Sequence, residues 1–426
     1  MTVAIKNRRW KRVAAAGIGV STLAAVMSAC SSSGGGGSNP IAASGAAGSC
    51  SAAGVSSGSI SLGAIASLSG SYANSLGPFA DGVKARIDAQ NAKGGVNGRT
   101  LNLDVADDAS DVSGNLAAAR SLVEGKKVVG IISGSSFTSG GGDYLKQAGL
   151  PVTGYGVTKE YETNPNFIPY TSTLDGANST TVTTSLWGQY LKSKGATTVY
   201  SVGSGTPQGA AGATALTASS KAVGLKNGVL TTNLPQGTTN FTAEAQKAKQ
   251  AGVDALALPL NPTSSLAVLS AMRQGGVAVK TSLLLAGYDP SVLKSAGNLL
   301  DGASFVIFFS PFEEKTAAEQ AYEQALSKYT KGAVGQFTMV GYLAADLMIT
   351  GIEKAGSCPS RDNILKAIDS LRGYSAGGLI APTDFTAATR GKSPSCAYFV
   401  TVKSGAFVPD NNGKPICATN ASPIKP

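Results

Sequence analysis

The chain is 426 residues long, carries 35 Lys and Arg against 25 Asp and Glu, and contains no histidine. The lack of histidine excludes Ser-His-Asp and Cys-His nucleophile systems, HExxH metalloproteases and histidine acid–base catalysis; with no CxxC pair either, no zinc centre and no other metal or cofactor is expected. The formal charge of +10 falls to +5 once the five cations of the first 29 residues are set aside. The remaining charges are dispersed, as in EKTAAEQAYEQALSKYTK, so nucleic-acid binding is unsupported.

At the N-terminus, Lys6, Arg8, Arg9, Lys11 and Arg12 precede the apolar run VAAAGIGVSTLAAVM and then SAC, ending at Cys30. A basic region, a short apolar region and small residues make residues 1–29 a secretory signal, too short for a permanent membrane span. MSAC resembles a bacterial lipobox, with Met27 where Leu or Val is usual, which implies a lipidated Cys30; plain secretion with a free thiol is the alternative. NRRWKR only loosely echoes a twin-arginine signal, so ordinary export is expected. Residues 30–58 are rich in Gly, Ser and Ala, without charge or apolar periodicity, and read as a flexible tether. The expected location is therefore the outer face of the cytoplasmic membrane, held by lipid.

From Ser59 onward, short apolar runs alternate with segments of three-to-four periodicity: SISLGAIASL, PFADGVKARIDAQNAKGG, RTLNLDVAD, VSGNLAAARSLVEGK, VVGIIS. That order predicts βαβ units and a parallel sheet covered on both faces. The third strand runs into SGSSFTSGGG, a Gly-rich strand-to-helix junction whose free N–H groups suit an anion; Ser135 and Ser136 could equally cap the helix. The pattern recurs after IPYTSTLDGANST, giving one module over about 59–172 and another from about 175. Trp187 sits at core spacing on the first helix of the second module. The helices EKTAAEQAYEQALSKYT and FTMVGYLAADLMITGIEKAG lie too far along to continue that module simply, and CAYFVTVKSGAFV predicts two strands about a Lys-Ser-Gly turn. Outside the membrane, Cys50, Cys358, Cys396 and Cys417 favour two disulfides, with three connectivities open.

Other motifs carry little chemistry. Ser291–Lys294 (SVLK) matches Ser-x-x-Lys, and Lys403-Ser-Gly mimics a companion motif, but the first is common in a Ser-rich chain and the second reads as a hairpin turn. Asp104, Asp107 and Asp108 end a strand where a helix is about to start, so capping is favoured over paired-carboxylate catalysis. GSGTPQG, Gly203–Gly209, has GxGxxxG spacing rather than the dinucleotide fingerprint and reads as a loop over a cleft. No enzymatic activity is expected.

Three stretches taken together resemble the leucine/isoleucine/valine-binding branch of the type I periplasmic binding proteins, the receptors of ABC importers. They are LGAIASLSGSYANSLGPFADGVKARIDAQNAKGGVNGRTLNLDVADD, GLPVTGYGVT and VGYLAADLMITGIEKAG, with QNAKGGVNGR (Gln90–Arg99) the strongest marker. The resemblance implies an α/β fold of two Rossmann-like lobes with parallel sheets, joined by three crossover strands near Tyr170–Thr173, Phe308–Ser310 and Leu379–Pro382. Lobe 1 would comprise 59–171 and 310–379, and lobe 2 174–307 and 382–420. The implied function is a monomeric receptor that closes on a small carboxylate-bearing ligand and docks on an ABC permease; a sensor of the same fold that transports nothing is the alternative. Ser135, with Ser136, and Thr158 fall where the family holds the ligand carboxylate, and Gly156 would offer its carbonyl to an amine. Gln208 stands, before Gly209, where a Tyr-Gly pair is frequent, and Asn261 where an aromatic is common. Asp289 is the candidate partner of an ammonium group unless it caps the helix PSVLKSAG. Ser75, Leu76, Phe137, Tyr155, Tyr288 and Phe309 complete the expected walls. An amino acid and an organic or aromatic acid remain equally open as ligands. The same topology puts Cys50 and Cys358 at the outer end of lobe 1 and Cys396 and Cys417 beside the terminal hairpin, implying the pairs Cys50–Cys358 and Cys396–Cys417.

Overall fold

The computed structural model describes residues 50, 52–173, 183–235, 237–386, 388–392, 394–419 and 424–425. The expected signal peptide, Cys30 and most of the tether lie outside these residues. Where the tether was expected to end, residues 52–58 instead pack on the first sheet: Ser61 N–H donates to Gly54 O (2.7 Å), and Arg99 Nε to Ser56 O (2.8 Å).

Strands β1 (Ser59–Ala66), β2 (Thr100–Asp107), β3 (Gly130–Ser133), β4 (Val152–Gly154) and β5 (Phe167–Pro169) form a parallel sheet in the order β2-β1-β3-β4-β5. Between them run α1 (Ala73–Leu76), α2 (Phe79–Asn91), α3 (Val112–Arg120), α4 (Gly142–Gln147) and α5 (Lys159–Thr163). The second series alternates α6 (Leu186–Ser193), β6 (Thr198–Ser204), α7 (Pro207–Ala222), β7 (Lys226–Leu234), α8 (Thr242–Gln250), β8 (Ala255–Leu258), α9 (Pro262–Gln274), β9 (Thr281–Leu284), α10 (Pro290–Ala296) and β10 (Ala303–Ile307). After α11 (Ala317–Tyr329), α12 (Gln336–Lys354) and α13 (Arg361–Asp369), the chain ends in β11 (Cys396–Lys403), β12 (Ala406–Pro409) and β13 (Ile416–Cys417). The second sheet runs β12-β11-β10-β9-β8-β6-β7, parallel from β6 to β10 and antiparallel beyond, with β13 also on β11. Runs such as ALAL of β8 and ASFVI of β10 are buried at every position, as strands covered on both faces must be.

Helices α11–α13 return to the first sheet. Thr153 Oγ1 on β4 donates to Ala344 O (2.8 Å), Arg86 Nε on α2 to Asp346 (2.7 Å), and Arg361 to Ala148 O (3.0 Å). α12 is apolar almost all round because it is packed almost all round, between that sheet and α2. Glycines at the crossing let the two backbones touch: a Cβ on Gly82 would strike Thr338 O, and one on Gly341 would strike Phe79 O. No described helix is long and apolar enough to cross a membrane.

The chain passes between the two sheets after β5, between β10 and α11, and between α13 and β11. These passages bond to one another: Ser310 N–H donates to Leu379 O (2.8 Å) and Thr383 Oγ1 to Thr171 O (3.3 Å). The α/β fold of two mostly parallel sheets is therefore the one expected. Both disulfides are present, Cys50–Cys358 and Cys396–Cys417, the second joining register partners of β11 and β13. Trp187 is buried edge-on to Phe308 (6.2 Å) and Phe399 (6.4 Å).

The carboxylates after β2 hold loops rather than cap a helix. Asp107 accepts from the N–H groups of Leu68 and Ala109, Asp108 accepts from the Ser67 hydroxyl and Ser110 N–H, and Asp104 pairs with Lys126. The N-cap of α3 is Asp111, which accepts from Ser113 and Gly114 N–H.

Candidate ligand-binding site

The C-terminal ends of both parallel sheets open onto one cavity of about 530 Å³. Its first wall comes from the loops after β1, β3 and β4, its second from the loops after β6, β7, β8 and β9, and its end from residues 332–338 leading into α12. A crevice at the carboxyl ends of parallel strands is where open α/β sheets place their ligands, because strand-end loops and helix starts converge there. The helix starts are locally encoded: Thr206 accepts from Gly209 N–H before Pro207 of α7, and Asn261 accepts from Ser264 N–H before Pro262 of α9.

Eight of the thirteen expected residues line the cavity: Ser75, Leu76, Ser136, Phe137, Tyr155, Gln208, Asn261 and Asp289. Gln208 reaches from the second wall to the first, its Nε2 donating to Ser136 O at 2.7 Å. The five others stand behind the walls. Ser135 is fully buried; its hydroxyl donates to Asp108 while accepting from Asn115 Nδ2 (3.1 Å) and Phe137 N–H (2.9 Å). Thr158 is buried against Thr138, which donates to Glu160 (2.7 Å), and Gly156 packs on Pro169. Tyr288 gives its hydroxyl to Glu313, accepts from Phe312 N–H (2.9 Å) and stacks on Phe312 at 5.0 Å; Phe309 joins the same aromatic stack. Burial and the Glu313 charge push the Tyr288 phenol up, so it stays a donor.

The alternation of the β3–α4 junction decides which serine faces the ligand space. Ser135 turns inward to Asp108, whereas Ser136 is half-buried at the cavity wall, its N–H and hydroxyl without an acceptor among the described residues. Asp289 departs from the helix-cap expectation. It stands at the N-cap of α10 without a side-chain bond to that helix. Its carboxylate instead accepts the backbone N–H of Gln336 at the start of α12, and burial raises its pKa to about 6. Gln336 completes the connection: its Oε1 accepts from Gly287 N–H (3.0 Å) and Tyr288 N–H (3.3 Å), and its Nε2 donates to Leu285 O (3.0 Å).

Several wall residues carried no sequence signal of their own. Tyr72 meets Phe137 edge-on (5.6 Å) and hydrogen-bonds Ser204 of the opposite wall, and Phe337 meets Tyr155 edge-on (5.3 Å). Asp81, in the first turn of α2, also faces the cavity. The cavity's lining residues include no lysine and no arginine; Asp81 and Asp289 are its charges.

A periplasmic binding protein family model matches residues 59–406. The chain belongs to that family. It is similar in fold to a fatty acid ABC transporter substrate-binding protein from Thermomonospora curvata (TM-score 0.72, 18% identity, 86% of this chain and 95% of that one). A branched chain amino acid ABC transporter protein from Thermus thermophilus with bound valine gives a TM-score of 0.72 at 17% identity, over 85% of this chain and 98% of that one. An R. palustris ABC transporter solute binding protein in complex with 4-hydroxybenzoate gives 0.70 at 20% identity, over 85% and 98%. No curated protein sequence matches the chain. Identities this low carry the fold and leave the ligand to be argued from the cavity.

Proposed function

We propose that the protein is an exported, lipid-anchored receptor that binds a small amphipathic organic solute between its lobes, closes by hinge rotation and delivers the solute to an ABC permease. The observation that carries this is the cavity itself, set at the strand ends of both sheets and walled by Tyr72, Phe137, Tyr155 and Phe337 beside neutral hydrogen-bonding groups. Its volume suits a solute of amino-acid or aromatic-acid size. A carboxylate would be held without a cation, by the free N–H and hydroxyl of Ser136, while the aromatic rings cover the apolar body. Residue 30 would carry the lipid, keeping the receptor at the membrane face where the permease lies.

The test is a thermal-shift screen of the full-length protein in detergent against branched-chain and aromatic amino acids, their deaminated acids, amides and urea. Solutes that shift the melting temperature then go to small-angle scattering. A saturable upward shift with a smaller radius of gyration is expected. Silence across the whole panel overturns the small-solute reading, and binding without compaction overturns hinge closure.

A further inference from the structure

Resting on that reading, we propose that Asp81 is a specificity-determining residue that holds a positively charged nitrogen of the solute, so that the cleft selects an amine-bearing ligand over a purely anionic one. Asp81 lies at the third position of α2, with its side chain on the cavity wall. Its carboxylate has no hydrogen-bond or ion-pair partner among the described residues. The nearest cation on its own helix, Lys84, is committed to Asp88 one turn further on. The packing above it is close: a Cβ on Gly332 would come within 2.9 Å of Asp81 Oδ2, so the backbone before α12 approaches the carboxylate with no side chain intervening.

An acid in a first helical turn also favours the helix dipole, which accounts for an Asp at this position on any exposed helix start. It does not account for an Asp placed in a cavity that has no basic lining residue. Burial raises the pKa of Asp81, and the charge of Lys84, itself paired with Asp88, offsets that rise only in part. A ligand ammonium would supply the remaining charge. Asp289, the other acid, is already bonded to the start of α12. The two carboxylates of the cleft therefore have different tasks, Asp289 structural and Asp81 ligand-directed.

The experiment is isothermal titration of the full-length protein and its Asp81→Asn variant with matched pairs: leucine and 4-methylpentanoate, phenylalanine and 3-phenylpropionate, phenylethylamine and phenylethanol. Asp81→Asn keeps the shape and, lacking a partner to lose, is expected to melt within a degree or two of the parent. The proposal expects at least one amino compound to bind the parent more tightly than its partner without the amine, and Asp81→Asn to weaken that binding at least tenfold. The amine-free compounds should change less than twofold. Equal binding of an amino compound by parent and variant overturns the role of Asp81 and leaves the receptor reading intact. Binding by the deaminated acids alone does the same. If the parent binds no member of any pair, the reading of the cavity as a small-solute site falls, and this inference with it.

Discussion

Gln336 offers the sharpest test of how the two sheets are held together. It is 5% exposed, belongs to the helix that packs on the first sheet, and satisfies three backbone groups of the β9–α10 loop of the second. Gln336→Ala leaves the N–H groups of Gly287 and Tyr288 and the carbonyl of Leu285 without partners. An unsatisfied buried group costs about 1–3 kcal/mol, and since the cavity beside the loop admits some water, a loss of about 3 kcal/mol is expected for the three. Gln336→Met, which keeps most of the volume and removes the bonds, should lose nearly as much and so separates hydrogen bonding from packing. Guanidinium unfolding followed by near-UV circular dichroism measures both. A loss below about 1 kcal/mol in the two variants would refute the argument that these bonds join the sheets, because three buried groups cannot be orphaned so cheaply.

Two further outcomes rest on charge and on covalent linkage. The pKa of Asp289 rises from 3.8 to about 6 in the fold because burial disfavours its ionised form. With the folded value above the unfolded one, the associated stability is fully present below pH 4 and is lost as pH rises through about 6. The loss is at most about 3 kcal/mol. The stability difference between the parent and Asp289→Asn, measured by denaturant unfolding from pH 4 to pH 7, should therefore fall with pH; a flat or rising difference contradicts the assignment. Opening the disulfides should cost in proportion to the loops they close: Cys50–Cys358 spans 308 residues and Cys396–Cys417 spans 21. Chain entropy gives about 6 kcal/mol for the first and about 3 for the second, so Cys358→Ser should lower the melting temperature more than Cys396→Ser, and the reverse order would defeat the entropic account.

The fold was legible in the sequence because burial on both faces of a parallel sheet leaves uninterrupted apolar runs, and glycine punctuates the helices between them. That α12 is covered on all sides follows from its being apolar on all sides, but its return to the first sheet was implied only by the family resemblance. The site was legible to the level of the loop and not of the residue. Ser135 and Ser136 are chemically identical in sequence, and only the position of Asp108, carried on a loop from another strand, decides which hydroxyl is consumed. Thr158 was lost to the same cause, with Thr138 as the neighbour. Asp289 looked like a helix cap or a ligand partner, but its N–H partner lies 47 residues along the chain on Gln336, a contact no local pattern encodes. Asp81 was hidden by the ordinary preference for acids in a first turn, which makes a functional Asp there indistinguishable from a capping one.

The proposed closure would hinge at the edge beside the crossovers. Beside the crossovers, Tyr288, Phe309 and Phe312 form a continuous aromatic stack, and Phe312 lies against Tyr322 of α11 at 6.1 Å. Next to it, Gln336 and Asp289 bind α12 to the β9–α10 loop. Parting the sheets here would orphan several buried polar groups and separate the rings. Among the described residues the walls also meet through the small apolar cluster of Leu76, Ala286 and Phe337 and through the polar contacts of Gln208 with Ser136 O and Tyr72 with Ser204. Groups at those polar contacts can exchange a protein partner for water with little net change, because a typical hydrogen bond contributes only about 1 kcal/mol. Rotation about the crossover edge would therefore break the cheaper contacts first and expose Ser136, Phe137 and Asp81 from the open side. A solute that touches both walls would replace what opening removes, so the free energy for closure would come from the ligand.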